Sequence, residues 1–265
     1  MELFDLLGYF GALLIGIVLG LIGSGGSILT VPTMVYLLAI NPVTATAYSL
    51  FVVGTSSLVG SLNSIKKGLV DFRTGIVFSI PAFIAVYTTR KFLVPAIPQH
   101  LFTLNGLEIT KNIGLMLFFA LIMLMASLSM IRKTSKQDMK PAELRYNYPL
   151  LLLEGMLVGV LTGVVGAGGG FLIIPALVLL AKLPMKRAVA TSLLINAIKS
   201  LIGFIGDVEN REIDWLFLLS FTGIAVLGIF VGGYLNTLID GRKLKKGFGF
   251  FVLFMGVYII WKELF

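Results

Sequence analysis

The feature that most limits what this chain can become is the recurrence of apolar stretches of near membrane-crossing length from one end to the other. A helix needs about 20 residues to cross roughly 30 Å of hydrocarbon. Ten apolar segments are read, at Leu3–Ile22, Ser27–Ile40, Thr44–Leu62, Phe72–Phe92, Asn112–Ile131, Pro149–Val165, Phe171–Ala181, Ala188–Ile205, Ile213–Leu235 and Lys245–Phe265. Only 13% of residues are charged, where a soluble domain carries about a quarter. The sequence therefore predicts an all-α, polytopic integral protein of the cell membrane, in contact with lipid and without a separate soluble domain. The opening MELFDLLGYFGALLIGIVLGLIG has neither a basic leader nor a small-residue cleavage site, so a retained first helix is expected.

The second and seventh segments are short for a full span, and each lies between a glycine cluster and a proline, so each is read as a half-helix or part of a broken helix. Their match is no coincidence. A shift of 143 residues lays Gly16, Gly20, Gly23, Gly25, Gly26 and Pro32 onto Gly159, Gly163, Gly166, Gly168, Gly169 and Pro175, and further along Ser49 onto Ser192, Ser57 onto Ser200, Gly60 onto Gly203 and Asp71 onto Asp214. This is an internal duplication. It divides the chain into a first transmembrane repeat, residues 1–131, a connector, 132–147, and a second repeat, 148–265.

Equivalent loops of the two repeats carry opposite charge. Lys66 and Lys67 lie in the loop at 63–71, whereas its counterpart at 206–214 holds Asp207, Glu209, Glu212 and Asp214 against Arg211. Conversely, the turn at Asn41–Ala45 is uncharged while its counterpart has Lys182, Lys186 and Arg187. Likewise the loop at 93–111 is nearly neutral while Gly241–Lys246 holds Arg242, Lys243, Lys245 and Lys246. Lysine and arginine mark cytoplasmic loops. With the basic connector inside and all ten segments crossing, every basic loop falls on the cytoplasmic side, so two inverted repeats with outside termini are predicted. If the two short segments did not cross, the loops at 182–187 and 242–246 would move outside, against that rule.

The net charge of +8 sits in these short loops, so it reads as topology and no nucleic-acid partner is expected. The chain has no cysteine and a single histidine, His100, in a loop, and it carries no HExxH and no serine–histidine–acid set. No catalytic residue, metal site or cofactor is therefore predicted, and the chain reads as a non-enzyme. The clusters G23-S-G-G26 and G166-A-G-G-G170 lack the lysine of a phosphate-binding loop and the strand–helix setting of a dinucleotide fold.

A glycine break inside lipid exposes amides and carbonyls that must be satisfied within the protein or by a wet cavity. Where a helix starts just after the break, its free N–H groups suit an anion, and paired breaks of this kind frame the central site of many inverted-repeat carriers. The candidate substrate-binding residues are accordingly Gly23, Ser24, Gly25, Gly26, Gly166, Gly168, Gly169 and Gly170, together with the polar positions Ser49, Thr191, Ser192, Asn196 and Lys199 on the helices that follow. Pro32 and Pro175 are read as structural. Two plainer readings stand beside this one: the glycines serve only close packing, and Lys199, some seven residues before Gly206, snorkels to the headgroups. Glu154 is either a protonation site or an interfacial residue, and the pairs Gly16–Gly20 and Gly228–Gly232 read as helix contacts.

The paired stretches GLIGSGGSILTVPTMVYLLAINPVTATAYSLFVVGTSSLVG and GVVGAGGGFLIIPALVLLAKLPMKRAVATSLLINAIKSLIG resemble the TauE/SafE family of membrane permeases, the sulfite exporters. The resemblance implies a secondary transporter for a small anion such as sulfite, an organosulfonate or a related sulfur compound, working by alternating access. An anion channel and a non-transporting structural or signalling protein are the alternatives. Proton or cation coupling and a homodimer stay open. Family members are often described with seven or eight spans, fewer than the ten read here. The repeats also differ within the motif, with Ser27 opposite Gly170 and Val53 and Ser56 opposite Asn196 and Lys199, so an asymmetric site is expected.

Overall fold

Every one of the ten apolar segments is helical in the computed structural model, which describes residues 3–104, 107–131, 148–166, 169–179, 181–208, 212–236 and 241–264. The helices are α1 (Leu3–Ile22), α2 (residues 23–37), α3 (Pro42–Lys66), α4 (Phe72–Ala96), α5 (Lys111–Ile131), α6 (Tyr148–Val165), α7 (Gly170–Leu179), α8 (Met185–Val208), α9 (Trp215–Leu235) and α10 (Gly241–Leu264). Of these, α3, α4, α5, α8 and α9 contain windows long and apolar enough to span a bilayer unaided. The predicted connector, 132–147, lies outside the described residues.

Local chemistry explains the helix ends. Asn41, Asp71 and Asp214 cap α3, α4 and α9 by accepting from Val43 N (3.0 Å), Thr74 N (2.8 Å) and Phe217 N (3.0 Å). The helix α2 is irregular because glycines begin it and Pro32 lacks an amide hydrogen: it starts as a 3-10 helix over Gly23–Leu29 and ends as a π-helix over Thr33–Leu37. Both short helices stop at a residue in the left-handed region, Ala39 (φ +52°) and Lys182 (φ +54°). There Ile40 N–H reaches back to Met34 O (3.0 Å), and Leu183 N–H to Leu177 O (3.1 Å).

The pairing of helices follows the 143-residue correspondence. Helix α1 packs on α9 as α6 packs on α4, α5 packs on α10, and α3 lies against α8 at the centre. The small-residue pairs make the first contact, as the sequence suggests. A Cβ at Gly16 would fall on the carbonyl of Ala225 and 2.9 Å from Gly228 Cα, while one at Gly159 would lie 2.5 Å from Ala82 O and 2.7 Å from Ala85 Cβ. Among the described residues four buried clusters fill the spaces: one around α1, α3 and α9, one around α4, α6, α7 and α8, one where α5 and α10 meet α2, and a small one of Val43, Val94 and Leu115 where α3, α4 and α5 meet. Exposed apolar faces, such as Ile76, Ile80 and Ile84 on α4 and Leu219, Leu227 and Phe230 on α9, suit contact with lipid.

Two features depart from the sequence reading. The loop at 93–111 contains an antiparallel hairpin, β1 (His100–Leu104) and β2 (Leu107–Thr110), the one small ribbon beside the helices among the described residues. Helices α4 and α8 run on to Ala96 and Val208, beyond the predicted ends at Phe92 and Ile205, which brings Asp207 inside a helix. The sequence reading places Asp207 in the acidic loop at 206–214, but its charge has a partner within the bundle, Arg90.

Candidate anion-binding site

The duplicated glycines sit where each repeat meets the other. Gly23 and Gly166 both adopt positive φ, +74° and +72°. A Cβ at Gly23 would stand 2.6 Å from Val189 Cγ1 on α8, and one at Gly166 would stand 2.5 Å from Thr46 Cα on α3. Thr46 and Val189 are themselves equivalent under the 143-residue shift. Each break therefore presses on the fifth residue of the other repeat's central helix. Ser24 and Gly25 continue the first 3-10 turns, and Gly26 folds back to lie against α1, where a Cβ would be 2.6 Å from Leu19 N. In the second repeat, Gly169 (φ +57°) accepts from Leu172 N at 3.0 Å, and Gly170 begins α7. Gly168 lies outside the described residues. Pro32 is buried within α2, and Pro175 lies in α7.

Lys199 is fully buried. Its Nζ donates to Thr162 Oγ1 at 2.9 Å and stands 3.0 Å from the point a Gly169 Cβ would occupy, so the missing side chain makes its room. Among the described residues it has no carboxylate partner, and it points into the protein rather than toward the headgroups. Asn196, one turn away on the same helix, donates to Ser57 Oγ across the α3–α8 contact (3.3 Å) and accepts from Ser200 Oγ (3.4 Å). Val189 and Lys199 are ten residues apart on α8, so the two breaks are offset by about 15 Å along that axis, with Asn196 between them.

The remaining polar candidates divide by what their hydroxyls do. Thr191 Oγ1 accepts from Asp71 N (2.9 Å), as Tyr48 Oη accepts from Asp214 N (2.8 Å), so both tie the start of one repeat's helix to the other repeat. Ser192 Oγ bonds Val189 O one turn back (2.8 Å). By contrast Ser49 and Ser56 are buried on α3 with hydroxyls that meet no partner among the described residues, as is Thr30 on α2. Buried hydroxyls of this kind are costly unless something fills their hydrogen-bonding capacity part of the time.

A further cluster escaped the sequence reading. Arg90 is fully buried, donates from Nη1 to Thr46 Oγ1 (3.0 Å) and pairs with Asp207 Oδ2 (3.3 Å). Thr46 is the residue on which Gly166 rests, so the second break has a basic side chain at each end: Arg90 through Thr46 beside Gly166, and Lys199 beside Gly169. The signal available in the sequence was an arginine only two residues from the predicted end of an apolar segment. Among the described residues no group of three or more His, Cys, Asp or Glu could hold a metal ion.

The chain matches the family model described as sulfite exporter TauE/SafE over residues 9–259. It is similar to a probable membrane transporter protein of Xylella fastidiosa, 30% identical with 94% of this chain and 92% of that protein covered. It is also similar to the probable membrane transporter protein YunE of Bacillus subtilis, 28% identical with 96% of each covered, and to one of Haemophilus influenzae, 24% identical with 94% and 95% covered. No solved structure matches the chain.

Proposed function

Because the chain belongs to the TauE/SafE sulfite exporter family of membrane transporters, we propose that it is a secondary carrier of a small sulfur-containing anion, sulfite or an organosulfonate, working by alternating access. The observation that carries this reading is Lys199, a buried lysine beside a glycine break whose described partner is one hydroxyl. A basic side chain held in that state is poised to take up its charge beside an anion rather than in a structural ion pair. Asn196 and the hydroxyls of Ser49 and Ser56 supply further polar groups on the central helices, and the backbone at Gly23–Gly26, Gly169 and Gly170 supplies amides.

The repeats, 1–131 and 148–265, are taken as inverted with respect to the membrane. Two contacts support this. Asp71, at the start of α4, touches Thr191 near the start of α8, and Arg90, near the end of α4, touches Asp207 near the end of α8. Helices α4 and α8 thus run in the same direction, which is what an inverted relation between the loops at 67–71 and 209–214 requires. The basic loop then faces the cytoplasm and the acidic one faces outward.

The test is flux into vesicles reconstituted with the purified chain, run with sulfite, sulfate, methanesulfonate and acetate. Saturable uptake that discriminates among them supports the carrier. Unitary conductance indicates a channel instead, and absence of flux for all four removes the transport reading. Repeating the assay under an imposed proton or sodium gradient reads out the coupling ion.

A further inference from the structure

The duplication makes one end of the bundle an internal control for the other. Arg90 corresponds to Gly233 and Asp207 to Ser64 under the 143-residue shift. At Gly233 a Cβ would meet nothing within 4 Å, and Ser64 Oγ simply bonds Gly60 O at 3.1 Å. The equivalent positions at one end therefore carry no charge and make no contact with each other through their side chains. At the other end a guanidinium and a carboxylate are buried, both almost fully removed from solvent. A buried ion pair contributes little net stability compared with apolar packing, because desolvation offsets the Coulomb attraction. Folding alone does not call for it here.

Its position does. The Arg90 guanidinium is one hydrogen bond from Thr46, and Thr46 supports Gly166 at the second break. We infer that Arg90 is an anion-contacting residue and that Asp207 occupies its guanidinium while the site is empty, standing in for the oxygens of the incoming anion. The ligand class is an oxyanion with at least two oxygens on one centre, a carboxylate-like pair of acceptors that a guanidinium binds side by side. When the anion arrives it replaces Asp207, and release of the carboxylate frees the end of α8 from α4. This rests on the carrier reading and adds to it a second cation, a built-in competitor and an asymmetry between the two ends. Lys199, at the other side of the same break, then faces the anion from the opposite direction.

An internal competitor predicts a gain of affinity when it is removed, which a purely structural pair does not. The experiment measures binding of sulfite, sulfate and methanesulfonate to the purified full chain, for the wild type, Asp207→Asn and the double variant Arg90→Gln/Asp207→Asn. If Asp207 holds Arg90 in about nine molecules of ten, Asp207→Asn should bind about tenfold more tightly, and the double variant should bind more weakly than the wild type. Unchanged or weaker binding by Asp207→Asn, or a gain that survives in the double variant, overturns the inference. Removing one partner of a buried pair is itself destabilising, so Asp207→Asn is also purified with each oxyanion present and with chloride at equal ionic strength. If the variant fails to fold in chloride, recovery of monodisperse protein by an oxyanion supports the inference, and failure with every oxyanion overturns it. Wild-type transport with no gain in Asp207→Asn removes this inference alone, whereas a wild type that carries none of the anions removes the carrier reading as well.

Discussion

A substitution series at glycines separates backbone strain from close packing at the second break. Gly166 combines positive φ, +72°, with a Cβ position 2.5 Å from Thr46 Cα, where ordinary contact begins at 3.4 Å. Gly166→Ala therefore needs α3 and the end of α6 to part by about 1 Å, an overpacking that costs about 1–3 kcal/mol, and it adds about 1–2 kcal/mol for a left-handed residue with a side chain. Gly68 has the conformation without the contact, φ +64° and nothing within 4 Å, so Gly68→Ala should cost only the second amount. Gly223 has neither, being helical and open, so alanine there should be neutral or stabilise by about 0.5–1 kcal/mol. The assay is the thermal midpoint of each monodisperse variant in detergent. The expected order is Gly223→Ala at or above wild type, then Gly68→Ala, then Gly166→Ala lowest. A Gly166→Ala protein that melts at or above Gly68→Ala would refute the claim that the break is wedged against Thr46.

Three other outcomes are expected. In this cysteine-free chain, single cysteines at Lys67 and Glu212, both exposed, should react with an impermeant thiol reagent from opposite sides of the membrane, and labelling from the same side removes the inverted arrangement. Lys199→Gln should remain folded and bind sulfite about tenfold to a hundredfold more weakly, the range for one lost hydrogen bond to a charged group; equal affinity takes the lysine out of the site. Tyr36→Phe removes the 2.8 Å bond by which the end of α2 holds Glu263 near the end of α10, and should lower the thermal midpoint by the equivalent of about 1 kcal/mol; an unchanged midpoint shows that this bond adds nothing.

The sequence carried the helices well because lipid leaves the backbone few choices: apolar segments of sufficient length become helices, and their ends were read to within a few residues. It carried the repeat because glycines at close crossings tolerate no substitute, as Gly16 against Gly228 and Gly159 against Ala82 illustrate. It also singled out Lys199 and Asn196, which the fold brings to the α3–α8 contact and the second break. What it could not carry was partnership over distance. Nothing in the order of residues joins Arg90 to Asp207, and charge near a segment end reads as a loop flank unless the opposite charge is known to be adjacent. Nor does periodicity reveal that Thr191 is engaged at the start of α4 while Ser49 and Ser56 remain open, since all are hydroxyls on the same kind of helix. The small hairpin at His100–Thr110 was missed because its nine paired or flanking residues are too few to show alternation against so apolar a background.

The combination of a symmetric scaffold with asymmetric chemistry bears on how such a carrier could work. Equivalent contacts repeat at both ends: each break presses on the other repeat's central helix, each central helix steadies the start of the other repeat's next helix through Thr191 or Tyr48, and each short helix ends in a left-handed residue. Two repeats so related have nearly equal packing in either of two orientations, which is the condition for alternating access without a large energy difference between states. Charge breaks that equality. Lys199 faces Ser56 in the correspondence, Arg90 faces Gly233 and Asp207 faces Ser64, so these three buried charged residues all belong to the neighbourhood of the second break or to the end of α8 beside it. A symmetric frame with its charges at one end favours one closed state when empty and yields that preference when an anion takes the place of Asp207. Moving the pair to the other end, with Arg90→Gly and Gly233→Arg joined to Asp207→Ser and Ser64→Asp, should then reverse which side is closed at rest. Accessibility of cysteines at Lys67 and Glu212 reports only the loops, so the readout is protection of a cysteine at Thr46 against one at Val189. Wild-type background should protect Thr46→Cys more than Val189→Cys, and the transplanted chain should show the opposite order; the same order in both would mean that the ion pair does not set the resting state.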